Sequence, residues 1–458
     1  MRPPNIVLIL ADDMGYGDLG VFGNKTVQTP TLDQLARESI TLIQHYSASP
    51  VCAPARAALL TGRYPHRTGA IDTLEGRGLD RLSLSEITIA DVFRDAGYVT
   101  GLVGKWHLGA LDKAYHPNSR GFDEFLGFRG GWSDYYQWRL DRNGGFERTD
   151  GRYLTDVFAD EAVRFVERHK DEAFFLHVAF NAPHFPFQAP EEDVRPFLES
   201  EKLTQRVSVL YGMIRCMDRG IGRILETLEE CGVADNTIVL FTSDNGPQMG
   251  GEGQECLDRF NAGWRGYKGL VFEGGIRVPA IVRWPDGLNG GSSMAEFVHF
   301  TDWMPTLLAM ANVDWPESLH LDGENVLPLL QGETRHTAQH FWQWNRYTPV
   351  ASSNAAMRDG KWKLVRPVIA ETMHVLEKDG KVDRMLKYEP EKVREISREP
   401  WPEYMLKDVP DPLLFNLDDD PYEQFDLAAN EPERVREMVQ ELEAWFATVD
   451  MARRNAVE

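Results

Sequence analysis

What this 458-residue chain lacks narrows its function before any motif is found. It has four cysteines (Cys52, Cys216, Cys231 and Cys256), too few for a disulfide scaffold at this length. Cys216 and Cys231 fall in one helical stretch, too far apart along it to pair. No apolar run reaches the length of a membrane span, and neither a repeat nor a low-complexity tract is present. Positive charge is scarce: 49 Lys and Arg stand against 71 Asp and Glu, a formal net charge of −22. That excess argues against nucleic acid or anionic membrane as a partner, and an anionic ligand would need local positive charge to hold it. The first apolar run is short and leads into Asp12-Asp13, where a leader would need small residues, so no signal peptide is expected. The chain is expected to be cytoplasmic or a trimmed periplasmic or secreted form.

What is present is the composition of a globular enzyme, 42% hydrophobic and 26% charged. Ile6 to Leu10 is a continuous apolar run, the pattern of a strand buried on both faces. A helix is expected from Pro30, capped by Thr29, and another over Ile89, Val92, Phe93 and Ala96, stopped by Gly97. Val99–Val103, Phe174–Phe180 and Ile238–Phe241 read as further buried strands. Between them, Val157–Val166 and Leu203–Glu230 carry helical apolar stripes. Pro279–Trp284 and Phe297–Phe300 add strands, and Trp303–Ala311 adds a helix. This alternation predicts an α/β fold with a large, mostly parallel sheet flanked by helices, over residues 1–334. Beyond Gly332 the pattern changes. His340–Trp344 and Trp362–Arg366 read as antiparallel strands, Asp359-Gly360 as a hairpin turn and Glu433–Phe446 as a closing helix. Residues 335–458 are therefore expected to form a smaller α+β domain with an antiparallel sheet. Its charged stretch Glu371–Glu399 is expected to be an exposed excursion.

Acidic residues follow two of these strands: Asp12-Asp13 the first, and Asp244-Asn245-Gly246 the strand at Ile238–Phe241. In open α/β sheets the ligand crevice lies at the carboxyl ends of the strands. Three carboxylates and an amide oxygen would suit a hard cation, Ca²⁺ or Mg²⁺, and no His adjoins them to favour zinc. Alternatively each acid caps a following turn. A second feature is Cys52-Ala-Pro-Ala-Arg56, where Pro54 suits the first turn of a helix. Cys52 would sit where the helix dipole favours an anion, with Arg56 one turn on. A buried structural cysteine is the alternative. Lys105 and His107 directly follow the strand Val99–Val103 and would share a face if extended. His45, His66, His177 and His299 have no comparable context.

Together these segments resemble a known family. Cys52-x-Pro-x-Arg56 followed by Thr61-Gly-Arg63 is similar to the signature of the formylglycine-dependent (type I) sulfatases of the alkaline phosphatase superfamily. So are Gly97-Tyr-Val-Thr-Gly-Leu-Val-Gly-Lys105-Trp106-His107-Leu-Gly109, the opening Pro4–Asp13, Ser243–Gly246, Lys268 before Glu273–Arg277, and Leu414–Pro421. The resemblance spans essentially the whole chain and its parts fall in the family's order. It implies an alkaline phosphatase-like fold and hydrolysis of sulfate esters to inorganic sulfate. Cys52 would be oxidised by a separate maturation enzyme to formylglycine, whose hydrate is the nucleophile. Asp12, Asp13, Asp244 and Asn245, with the modified Cys52, would hold Ca²⁺. Arg56 would fix the hydrate and His107 assist it, Lys105 and Lys268 would neutralise sulfate oxygens, and His184 would protonate the leaving alkoxide.

The chemistry agrees with that set. A sulfate ester is already anionic, so its charge must be screened before a nucleophile can approach. A geminal diol can expel sulfate by reforming its carbonyl, which Ser or Cys cannot do. Three rivals remain: a phosphate or phosphonate monoester hydrolase of the same superfamily, a non-catalytic binding protein with unmodified Cys52, and a thiol enzyme whose Cys pKa the cations would lower. The aromatic segments Gly130–Trp138 and Phe341–Tyr347 suggest a sulfated saccharide as substrate, with Trp132, Tyr136 and Arg346 as candidate contacts. Artificial aryl sulfates would be accepted as well.

Overall fold

In the computed structural model, residues 2–199, 203–250, 256–333 and 339–455 are described. Ten strands form one sheet: β1 (Asn5–Ala11), β2 (Ile40–Tyr46), β3 (Val99–Lys105), β4 (Glu124–Phe128), β5 (Arg139–Arg142), β6 (Gly145–Arg148), β7 (Phe174–Ala179), β8 (Thr237–Ser243), β9 (Ala280–Arg283) and β10 (Ser292–His299). Their spatial order is β10-β2-β9-β8-β1-β7-β3-β4-β5-β6. β1 runs parallel to both its neighbours, β7 and β8, whereas β9 is antiparallel to β8 and β2. The sheet is thus mixed and mostly parallel, as expected.

The apolar run of β1 serves two layers at once. Val7, Ile9 and Ala11 pack on one face with helices Leu154–His169 and Gln205–Glu230. Ile6, Leu8 and Leu10 pack on the other with helices Cys52–Thr61, Ile89–Asp95 and Trp303–Met310. Side chains alternate across a strand, so only a strand covered on both faces can be apolar throughout.

A second sheet is antiparallel throughout, in the order β11 (His340–Gln343), β12 (Ala355–Asp359), β13 (Trp362–Arg366), β14 (Leu413–Asn416). Helix Pro432–Arg454 closes one of its faces with Met438, Leu442 and Val449. Trp342, Ala356, Val365 and Phe415 on the other face pack against Tyr46, Ile276 and Phe297 of the large sheet's layer. The domain boundary expected at 334/335 falls at residues outside those described.

Three local expectations need correction. Thr29 does not cap helix Pro30–Glu38 with its side chain; its hydroxyl accepts from Gly20 N–H at 3.0 Å and donates to Asp33 Oδ1 at 3.1 Å. The free N–H groups of Thr31 and Leu32 go instead to Asp218, at 3.0 and 2.8 Å, a partner 186 residues away from Leu32 that no local pattern could reveal. β3 continues two residues past Val103, carrying Lys105 to the sheet's edge. The stretch Glu371–Glu399 is not an exposed excursion: it contains helix Glu377–Tyr388, whose Asp379 is buried.

Candidate active site

β1 and β8 lie side by side in parallel with Ala11 opposite Ser243, so Asp12-Asp13 and Asp244-Asn245 emerge at the same sheet edge. Successive residues of an extended strand point to opposite sides. Asp13 escapes this by adopting φ +62°, a left-handed conformation that costs a non-glycine residue energy. Both Asp side chains thereby reach one point. Coordinating atoms of Asp12, Asp13, Cys52 and His184 lie within 4.8 Å of one another, all in buried residues.

Cys52 opens helix Cys52–Thr61, and its side chain meets this cluster at the helix N-terminus. Arg56 turns back to give two bonds to Asp244 Oδ2, at 2.9 and 2.8 Å, and a third to the Lys105 carbonyl at 3.2 Å. Lys105 Nζ donates to Asp12 Oδ2 and Lys268 Nζ to Asp13 Oδ2, each at 2.7 Å. Asn245 Nδ2 donates to Asp13 Oδ1 at 2.8 Å. Asp244 Oδ1 accepts from Asp13 N–H at 3.1 Å, so both its oxygens have partners. His107 does not continue the strand of Lys105; it takes φ +56° and is buried with no hydrogen bond to either ring nitrogen.

His184 follows β7. Its Nδ1 lies 2.7 Å from the Phe185 carbonyl, which can only accept, so Nδ1 holds the proton. Nε2 then presents a lone pair 3.7 Å from Asp13 Oδ2. Burial, reinforced by Lys268, holds the His184 imidazole well below its ordinary pKa, and burial with Lys105 and Lys387 does the same for His107. Burial would push the Asp13 carboxyl up, but Lys268, His184 and Lys105 outweigh it and hold it low. Burial and the neighbouring Asp12 charge push Asp244 up to about 6. Burial also pushes the Cys52 thiol up to about 12, against the pull of Lys105 and Lys268. The thiolate that a thiol enzyme needs is therefore disfavoured, a correction to the expectation that the cations would prevail.

The residues fit a hard cation. Asp12 Oδ1 and Asn245 Oδ1 are buried acceptors with no hydrogen-bond donor, beside three crowded carboxylates and an imidazole lone pair. An oxygen-rich, electron-rich pocket of this kind is what a divalent ion completes. Asp12 Oδ1 and Asn245 Oδ1 are open to it, Asp13 and Asp244, whose oxygens each accept a hydrogen bond, have second lone pairs to add, and Arg56 braces the set.

Outside this cluster lies a cleft of about 500 Å³, lined by Cys52, His107, His184 and Lys268 together with Trp132, Trp344 and Arg346. Trp132 packs against Phe185 with ring centres 5.5 Å apart. Arg346 is anchored by Asp72 Oδ1 at 2.7 Å and Thr73 Oγ1 at 2.8 Å. Tyr136 is not among the residues that line the cleft; partly buried, it packs on Tyr153 with ring centres 5.4 Å apart. Glu75, Tyr267, Gln248 and Lys387 line the cleft and have no signature around them in the sequence.

The family model named Sulfatase matches residues 4–313, some two thirds of the chain and all of the site except the residues from β11 onward. The chain belongs to the sulfatase family. It is a sulfuric ester hydrolase, and members of this family generally depend on formylglycine and Ca²⁺. A second model, the C-terminal part of N-sulphoglucosamine sulphohydrolase, matches residues 262–399. Human N-acetylgalactosamine-6-sulfatase is 36% identical over 396 residues, covering 75% of this sulfatase and 72% of the human protein. Mouse steryl-sulfatase is 34% identical over 430 residues, covering 74% and 67%. The solved structure of Ps i-CgsB in complex with k-i-k-neocarrahexaose superposes with a TM-score of 0.81 at 32% identity, covering 97% of this chain and 93% of that one. No helix among the described residues is long and apolar enough to cross a membrane.

Proposed function

We propose that this sulfatase acts on a sulfated carbohydrate, with Cys52 converted to formylglycine by a maturation enzyme and Ca²⁺, or else Mg²⁺, held by Asp12, Asp13, Asp244 and Asn245 beside residue 52. The observation that carries this reading is the meeting of Cys52 with Asp12, Asp13 and His184 within 4.8 Å at the floor of a cleft walled by Trp132 and Trp344. Formylglycine would supply a hydrate hydroxyl as nucleophile and the cation would draw charge from the sulfate oxygens.

The chain's own residues do the rest. Lys105, at the end of β3, and Lys268, in the connection that follows β8, both point into the carboxylate cluster, where they neutralise the ester's negative charge and hold the sulfate in place. Arg56 braces Asp244 and the Lys105 carbonyl with three of its five N–H donors and, one helical turn from residue 52, would fix the hydrate there. His107 is buried with free ring nitrogens and stands ready to exchange a proton with the residue-52 side chain. His184 enters neutral, and the negative charge of a bound sulfate favours its protonation at Nε2. That proton then passes to the leaving sugar oxygen, whose alkoxide is too basic to depart unaided. Trp132 offers an apolar face to a sugar ring, and Trp344, buried with the Arg346 guanidinium 5.0 Å over its ring, backs the cleft. Ps i-CgsB, solved with a neocarrahexaose, and N-acetylgalactosamine-6-sulfatase support a saccharide substrate by similarity. We place the boundary between catalytic and C-terminal domains at 334/335.

The test is the mass of the peptide containing Cys52, taken from protein made alongside the maturation enzyme, paired with sulfate release from a panel of sulfated sugars. A hydrazine-reactive peptide carrying aldehyde in place of thiol, with sulfate released from at least one sugar, is expected. An unmodified thiol in active protein, or release from aryl sulfates alone, would overturn the proposal.

A further inference from the structure

Helix Glu377–Tyr388 stands outside every motif of the reactive cluster. It carries Asp379, Asp383 and Lys387 four residues apart, so all three share one face. That face rests on the turn Glu75–Arg77. Arg77 Nε donates to Asp379 Oδ1 at 2.8 Å, Gly76 N–H to Asp383 Oδ1 at 2.8 Å, and Lys387 is ion-paired with Glu75. Contacts on three consecutive turns hold Lys387 in register, and its side chain is only 5% exposed. Lys387, Glu75 and Asp383 nevertheless line the cleft beside His107 and Trp132.

The pair is incompletely satisfied. Glu75 Oε1 takes Lys387 and the Gly131 N–H, at 2.7 Å for the latter, while Oε2 is buried and accepts nothing. An ammonium has three donors, and Glu75 takes one of them. The backbone that faces the pair is Gly130-Gly131. A Cβ at Gly130 would lie 2.5 Å from Lys387 Nζ and 2.6 Å from Glu75 Oε2, and one at Gly131 would lie 2.8 Å from the His107 ring. The missing side chains let this backbone pack directly on the pair and on His107, which puts all three in one stretch of the cleft wall. A buried acceptor beside a buried donor suits two neighbouring hydroxyls, each able to donate and accept. A second sulfate has no proton to give Glu75, and the Glu75 charge would repel it.

We propose that Lys387 is a specificity-determining residue. With Glu75 it binds adjacent hydroxyls of the sugar that carries the scissile sulfate, and so selects a ring with free hydroxyls there over one bearing a second sulfate. This rests on the saccharide reading given above. The test compares kcat/KM for a monosulfated sugar hydrolysed by the wild type, its analogue lacking one neighbouring hydroxyl, and 4-nitrophenyl sulfate. Lys387→Gln is expected to lower the value for the sugar about 10- to 100-fold more than for the aryl sulfate, mainly through KM, and to erase the preference over the deoxy analogue. Equal losses on all three probes, or none on the sugar, would overturn the assignment. If Lys387→Gln does not fold, Lys387→Arg must shift the sugar-to-aryl ratio at least about threefold; an unchanged ratio overturns it equally. A wild-type protein that hydrolyses only the aryl sulfate would sink the saccharide reading, and this inference with it.

Discussion

Two clusters of buried charge in this protein are built to opposite ends. At the joint between the two sheets, Glu273 and Glu423 share Lys363. Its Nζ lies 2.9 Å from Glu273 Oε1 and 2.8 Å from Glu423 Oε1. The remaining oxygens take the Tyr46 hydroxyl at 2.7 Å and the Glu273 N–H at 2.7 Å. Every carboxylate oxygen there faces a donor or a cation, although Glu423 Oε1 meets Lys363 as an ion pair without a hydrogen bond. At the sheet's carboxyl edge the same kinds of residue leave Asp12 Oδ1, Asn245 Oδ1 and both His107 nitrogens without hydrogen bonds. Burial is equal in the two places, but satisfaction is not. A closed network holds elements together, whereas an open one holds space for a ligand.

Removing one carboxylate from the open cluster should have the largest effect. Asp13→Asn is expected to lower kcat/KM at least about 100-fold and to cost the metal-free protein some stability as well, because buried Lys268 loses its charged partner. Added Ca²⁺ should stabilise the wild type by about 2.7 kcal/mol at 100 times Kd and the variant much less, as read by thermal melting. Equal stabilisation of both would break the contrast between the clusters.

In the closed cluster the loss should be one of stability. Lys363→Met strands two carboxylates in the interior, and urea unfolding should show a loss of about 3–5 kcal/mol. The activity of the folded fraction should change far less.

The smallest effect concerns pH. Burial pushes the Glu423 carboxyl up to about 7, with Lys363 opposing in part and Glu273 adding to it. The folded protein then holds this proton more tightly than the unfolded chain does. Stability contributed here is present below the ordinary Glu pKa and is lost as pH rises from about 4.5 through 7. Glu423→Gln should flatten that decline by about 1–3 kcal/mol, measured as unfolding free energy at pH 5 and pH 8. An unchanged slope would mean that Glu423 stays ionised throughout.

Much of the reactive cluster was legible in the order of residues. Acids directly after buried strands, and a cysteine at the start of an alanine-rich helix, occupy positions that the parallel sheet itself defines. The cleft wall was not legible. Tyr136 lies in the same aromatic segment as Trp132, yet one packs inward on Tyr153 and the other faces the cleft. The charged stretch Glu371–Glu399 looked solvated because charge alone does not show which face of a helix meets a partner. Its Asp379, Asp383 and Lys387 at four-residue spacing were the available signal, but their partners lie some 300 residues earlier in the chain.

The sequence by itself determined the α/β class, the presence of two sheets and the acidic residues that follow β1 and β8, because strand burial is a local pattern with a fixed period. Only the tertiary structure decided which of those side chains converge, that Asp13 and His107 turn left-handed to do so, and that Lys387 reaches the cleft. Those outcomes depend on contacts between segments far apart in the chain, and no local period encodes the partner.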